Sequence, residues 1–241
     1  MTRLYFHAAA NSLSNLPTSE QSALTSNKDV DAQTVNRSMD TTIGTSQTSL
    51  VLTSNASVSP QNYYFTRFVS PALSGITSIT GGGSVWSYNA ATMQSNANAN
   101  FPVTSIGSPR PVLYVWRPSN QTVVGTIKDA ATGVPTISEP SASTEVCFNT
   151  GTWSSSTAVS GVQDGDVICF EVWFPVSQTS ATAYTDTFYY DGTTVTTTAG
   201  TVSNHASFIE TTQTLTFAAA GGPVDCTVTG KTIYNKTTTH A

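Results

Sequence analysis

The chain has 241 residues, of which only 10% are charged: nine Lys and Arg stand against fourteen Asp and Glu, for a net charge of -5. An average globular chain carries roughly 25%. Threonine and serine fill 42 and 31 positions, so small hydroxyls replace charge as the main polar group. Plentiful aromatic and β-branched residues exclude a wholly disordered chain, and the wealth of Thr, Ser, Val, Gly and Asn excludes a helical bundle. A pI of about 4.9 with scattered cations excludes a nucleic-acid binder that works by neutralising phosphates. What remains is an all-β protein with a polar, uncharged surface.

The chain divides into three zones by composition. Residues 1–57 are polar after Leu4, Tyr5 and Phe6, with isolated apolar residues such as Leu13, Leu16, Leu24, Val30, Val35 and Met39. This zone cannot bury enough surface to fold alone. It reads as an extended N-terminal arm, ordered only by contact with something else, with Leu4, Tyr5 and Phe6 as interface anchors. Pro17 to Glu20 resembles a short helix start capped by Thr18 or Ser19. The opening decapeptide has one positive residue and a short apolar stretch broken by His7. It therefore reads as mature protein made in a cytoplasm, not as a secretion signal. No apolar run approaches the roughly 18 residues of a membrane span.

Residues 58–220 form the folded body. Strand candidates recur with turn signals between them, the pattern of an antiparallel β-sandwich of jelly-roll type. The aromatic run 62–69 stops at Pro71. Three glycines at 81–83 open the run 84–88. The runs 111–116 and 122–127 flank Ser119 and Asn120 and predict a hairpin. Further strands are expected at 145–148, 166–174, 185–190 (closed by the Asp191-Gly192 turn pair) and 213–217. The most informative is 167–174. Val167, Cys169, Glu171 and Trp173 lie on one face, and Ile168, Phe170, Val172 and Phe174 on the other. Both faces are apolar, which suits a central strand covered on both sides. Trp173 then belongs either to a subunit interface or to an inner layer of the same chain. Residues 221–241 form a C-terminal tail or edge strand.

Catalysis needs convergent titratable groups, and there are few. The histidines are His7, His205 and His240. His205 could be posed as a base beside Ser203 or Ser207, but among so many serines a hydrogen-bonded loop histidine is the plainer reading. The carboxylates Asp164, Asp166, Asp186, Asp191 and Glu210 lie mostly at turns; Glu171 instead interrupts an apolar strand. A glycosidase pair would need two of them in one cleft. The preferred reading of Glu171 is a salt bridge with an arginine such as Arg67 or Arg117. No metal motif, nucleophile elbow or phosphate loop is present, so no catalytic residue, metal or cofactor is expected, and the chain reads as a non-enzyme. Cys147 and Cys169 read as small buried hydrophobes, able to pair only if their strands adjoin; Cys226 lies in the polar tail. The aromatics Tyr63, Tyr64, Trp86, Tyr88, Tyr114, Trp116, Trp153, Tyr189 and Tyr190 either fill core and interfaces or line up outwards to stack on sugars. The first reading is preferred.

The polar stretch 31–44 (DAQTVNRSMDTTIG), the hydroxyl-rich β body and the segments 170–174 (FEVWF), 184–192 (YTDTFYYDG) and 209–217 (IETTQTLTF) resemble virion structural proteins of tailed bacteriophages, particularly cyanophage-like ones. The resemblance spans most of the chain and rests on style more than on a motif. It implies a sandwich or jelly-roll body in a symmetric particle, first of all a head decoration (cement) protein located in the virion. Its partners would be the major capsid protein or other virion proteins and further copies of itself, with a trimer suiting local threefold positions. Neither nucleic acid nor membrane is an expected partner. The alternative is a tail, neck or fibre-associated protein whose sandwich binds a host glycan.

Overall fold

The computed structural model describes residues 1–17, 27–29, 34–53, 61–94, 110–129, 145–176, 185–198 and 200–219. Among them every regular element is a strand and none is a helix. In chain order they are β1 (Thr2–Ala10), β2 (Asn27–Asp29), β3 (Asn36–Asp40), β4 (Thr48–Thr53), β5 (Gln61–Val69), β6 (Ser78–Ile79), β7 (Trp86–Gln94) and β8 (Arg110–Arg117). There follow β9 (Thr122–Lys128), β10 (Val146–Thr152), β11 (Val159–Ser160), β12 (Val167–Val176), β13 (Thr185–Tyr190), β14 (Gly200–Thr201) and β15 (Phe208–Thr211). The helix start expected at 18–20 and the tail 221–241 with Cys226 and His240 lie outside the described residues.

Thirteen strands form one sheet in the order β14-β10-β7-β15-β1-β3-β5-β12-β8-β9, with β13 joining β7 to β4 and β2 beside β5. The sheet is mixed, because β2 and β3 run parallel to β5 while the other pairs are antiparallel. A separate ribbon pairs β6 with β11. Two long strands act as spines. β5 carries β12 along one side, and β2 and β3 end to end along the other. β7 carries β10 on one side, and β13 and β15 end to end on the other. Among the described residues, β1 is the one strand that bonds the two groups together, taking β15 on one edge and β3 on the other.

The sheet curls into a half-barrel, so the β7 group faces the β5 group across the core. Tyr88 of β7 and Phe170 of β12 lie five strands apart in the order, yet their ring centroids are 5.1 Å apart. Phe6 of β1 sits between them, stacked on Phe170 at 5.1 Å and on Phe68 at 4.3 Å. Leu4, Phe6, Met39, Phe65, Trp86, Leu113, Ile168, Phe188 and Ile209 are all at most 1% exposed in this cluster. Burying each such side chain contributes about 1.5–3 kcal/mol. A bulge leaves Phe65 of β5 as the extra residue between Tyr64, opposite Trp173, and Thr66, opposite Val172; all three are buried.

The expected arm is corrected here. Thr2, Leu4 and Phe6 are buried while Arg3, Tyr5 and His7 alternate with them. This period of two marks a half-buried strand, and pairing with β15 and β3 satisfies its backbone. Thr2–Ala10 and Asn36–Asp40 are thus interior strands of the body's own sheet. The strand expected at 213–217 is also shifted. The paired strand is β15, starting five residues upstream, because Leu4 takes Ile209 as its partner. Leu215 is held instead by its N–H on Thr2 Oγ1 at 2.8 Å, and Phe217 makes a lone bridge to Leu73. The hairpin of β8 and β9 and the doubly covered β12 are as the sequence predicts.

Candidate functional site

The second face of β12 carries a separate buried cluster of Tyr64, Val69, Val112, Tyr114, Trp116, Val167, Cys169 and Trp173, with Leu13 and Leu16 packed against it. Residues 11–17 therefore run over this face as a strap. Within the cluster lies a buried ion pair. Register sets Glu171 opposite Arg67, and they are 0% and 1% exposed. Arg67 donates to Glu171 Oε1 through Nε at 3.2 Å and through a terminal nitrogen at 2.9 Å. Its other donors reach Asn36 Oδ1 at 3.0 Å and the Pro17 carbonyl of the strap. Glu171 also accepts from Tyr114 Oη at 3.3 Å and from Trp173 Nε1 at 3.0 Å. Burial works against the guanidinium charge, but Tyr114, Glu171 and Tyr64 outweigh it and hold Arg67 above the ordinary arginine range. Burial, then Cys169 and Glu171, raises the Tyr114 phenol. Every partner in this network belongs to the chain itself. It orients the strap over the sheet and leaves no carboxylate facing solvent.

A second polar cluster joins the other spine. His205, Cys147 and Asn89 are 0%, 0% and 3% exposed. Their chain separation hides the cluster from sequence reading: β7 supplies Asn89, β10 Cys147, and the loop before β15 His205. The His205 Nε2–H donates to Asn89 Oδ1 at 2.6 Å, and the Cys147 thiol donates to the same oxygen at 3.2 Å. Sulfur and Nε2 are 3.7 Å apart. An activated thiol needs an imidazole lone pair aimed at the sulfur; here the Asn89 acceptor oxygen, 2.6 Å from Nε2, favours the tautomer that keeps the proton on that nitrogen. Burial pushes the Cys147 thiol up to about 11. Burial likewise pushes the imidazole down to about 4, against the Thr194 backbone. The stable form is therefore thiol and neutral imidazole, the reverse of a nucleophilic pair.

The remaining titratable groups also serve structure. His7 bridges Asp191 Oδ1 at 2.9 Å and Asp40 Oδ1 at 3.2 Å, joining β1 to the ends of β3 and β13. Asp166 holds Arg117 through two contacts at 2.8 Å. Glu210 pairs with Arg3, and Asp164 accepts from the Gly75 N–H at 2.6 Å. Glu171 has Arg67, and not Arg117, as its partner. Among the described residues no three His, Cys, Asp or Glu side chains gather as metal ligands. Cys147 and Cys169 are both free thiols.

The interface candidates lie mostly inside. Leu4 and Phe6 are 1% and 0% exposed within the core, and Trp173 is buried under the strap cluster; these three are corrected from contact anchors to interior packing. Tyr5 alone is partly exposed. The row of outward aromatics is absent among the described residues. Tyr63, Tyr64, Trp86, Tyr88, Tyr114, Trp153 and Tyr190 are at most 2% exposed and Trp116 is 5%, while Tyr189 is half-buried. What is exposed is aliphatic: Val35, Ile43 and Val51 in the N-terminal quarter, with Val195 and Met1. Compared with known proteins, the chain matches no family model and no curated protein.

Proposed function

We propose that the chain is a non-enzymatic structural component of a phage particle, most specifically a capsid decoration (cement) protein that works by subunit-to-subunit contact. The observation that carries this reading is the use of its chemistry-bearing groups. The buried ionisable side chains described above form internal braces, and the aromatics fill two cores. A body built this way resists deformation, which is what a clamp on a pressurised shell requires. The low charge leaves its contacts little affected by salt. The finer fold assigned is a sandwich of jelly-roll kind, in which the β5 and β7 groups act as two facing sheets and β1 closes one side. The contact surface moves from the proposed arm tip to the exposed aliphatic residues of the same zone, Val35, Ile43 and Val51. The partners proposed are the major capsid protein and further copies of this chain, with a trimer as the assembly that suits a local threefold axis.

The test is imaging of particles from the virus that encodes the chain, with and without it. Density on the head at subunit joints, lost on deletion together with resistance to heat or osmotic shock, is the expected result. Density on the tail or fibres would replace the cement role with the tail-associated one. A particle lacking the chain altogether would refute both.

A further inference from the structure

Across the outer side of β1 lies a cleft of about 470 Å³ that includes Arg3, Tyr5, Thr41, Glu210, Thr214 and Leu215 in its lining, a size in the range of small-ligand sites. Arg3 and Glu210 face each other in the β1–β15 register. Arg3 donates to Glu210 Oε2 through Nε at 2.7 Å, and a terminal nitrogen forms an ion pair with the same oxygen at 2.5 Å. The guanidinium carbon lies 4.2 Å from the Phe208 ring centroid, and its third nitrogen donates to the Tyr5 hydroxyl at 3.4 Å. The pair is therefore clamped in place, yet its side chains are 24% and 20% exposed. Both bonds to Glu210 use Oε2; among the described residues Oε1 has no partner. The rim adds the Thr41 and Thr214 hydroxyls, the latter accepting from the Met1 amino nitrogen at 3.2 Å on the exposed edge.

We propose that this cleft binds a neutral carbohydrate presenting neighbouring hydroxyls. The argument is electrostatic. The fixed charges on the wall form an internally compensated pair, so a charged ligand loses to one member what it gains from the other. A vicinal diol suits both, because each hydroxyl donates and accepts: one donates to Glu210 Oε1 while its neighbour accepts from the guanidinium edge. The Tyr5 hydroxyl and the threonines add neutral hydrogen bonds. This ion pair lines a shallow, open recess and keeps an unused acceptor. The site is a pocket with one partly exposed ring, unlike the aromatic row considered above, and it is independent of where the chain sits in a particle.

The experiment is titration calorimetry of the full chain against neutral gluco-, manno- and galacto-oligosaccharides, with alginate oligomers as the acidic comparison, up to about 10 mM so that weak binding registers. Binding of a neutral oligosaccharide is expected. Thr41→Trp, at an exposed turn position, fills the cleft without touching the core and should abolish it while the circular dichroism spectrum is unchanged. Glu210→Gln should weaken binding about tenfold or more, as expected on losing a charged hydrogen bond. No neutral binding, binding of acidic oligomers alone, or binding unchanged in Thr41→Trp would each overturn the proposal.

Discussion

Replacing Phe6 by alanine separates a peripheral arm from a structural strand. Phe6 is fully buried and meets four rings: Phe68 at 4.3 Å, Phe170 at 5.1 Å, Tyr88 at 6.2 Å and Phe188 at 6.4 Å between centroids. Truncating a buried Phe costs about 3–5 kcal/mol, and more of that range when the walls cannot collapse. Here the walls are rings on both spines and on β12, each fixed by its own neighbours, so about 4–5 kcal/mol is expected. Total stability for a domain is about 5–15 kcal/mol. At about 2–4 °C per kcal/mol for a chain of this size, the melting temperature should fall by about 8–20 °C. Urea unfolding followed by far-ultraviolet circular dichroism gives the change directly, and Phe6→Leu should lose much less by keeping most of the volume. A loss below about 1 kcal/mol for Phe6→Ala, within the range of a surface substitution, would refute the interior placement of β1 and restore the arm.

Three further outcomes follow from the two polar clusters. Glu171→Ala leaves Arg67 charged and buried without its carboxylate, which should cost about 3–5 kcal/mol, measured by urea unfolding, and should also loosen the strap, read as faster amide exchange at residues 11–17. Because burial lowers the His205 imidazole to about 4 from an unfolded value near 6.5, its neutral form contributes stability fully present above about pH 6.5. That stability is lost as pH falls toward 4, to a total of about 3 kcal/mol. His205→Gln should flatten this part of the stability profile; a profile of unchanged slope would remove His205 as its source. Cys147 and Cys169, buried and unpaired, should resist iodoacetamide in the native protein and react fully in urea, as read by peptide mass mapping, and rapid native labelling at either would contradict their burial.

What could be read from the sequence depended on whether a pattern is local. The two-faced apolar run of β12 announces a strand covered on both sides, and a carboxylate inside it demands a cationic partner, so Glu171 and an arginine could be linked without coordinates. The β8–β9 hairpin is likewise local. β1 carries a visible signal too, the alternation of Thr2, Leu4 and Phe6 with Arg3, Tyr5 and His7, but its partners are about thirty and about two hundred residues away in β3 and β15. Composition made the surrounding stretch look unable to fold, and alone it is; it is completed by strands whose register no local pattern encodes. The same remoteness hid Asn89, Cys147 and His205 from one another. The strand at 213–217 failed for a different reason: its alternation is as good as that of β15, and only the pairing of Leu4 with Ile209 decides between them.

The position of β1 also orders the folding of the chain. Without it the described sheet falls into two groups, β5 with β2, β3, β12, β8 and β9, and β7 with β10, β13, β4, β14 and β15. Neither is made of consecutive strands. The chain alternates between them, so each group closes only after long excursions through the other. β1 can take β3 early, but its second edge waits for residues 208–211 near the end of the described chain. Until then the edge beside Leu4 and Tyr5 is an unpaired strand with an apolar neighbour, and the low overall charge gives little electrostatic protection against pairing with another molecule. Sheets dominated by such distant pairings fold slowly. The gain comes afterwards. Once β15 is in place, the first strand is held between two others and pinned by Phe6 in the core, so the two groups cannot part without breaking one of its two ladders. That opening has to break a ladder and expose the stacked rings in one step, which places the resistance of the native protein in a slow unfolding rate.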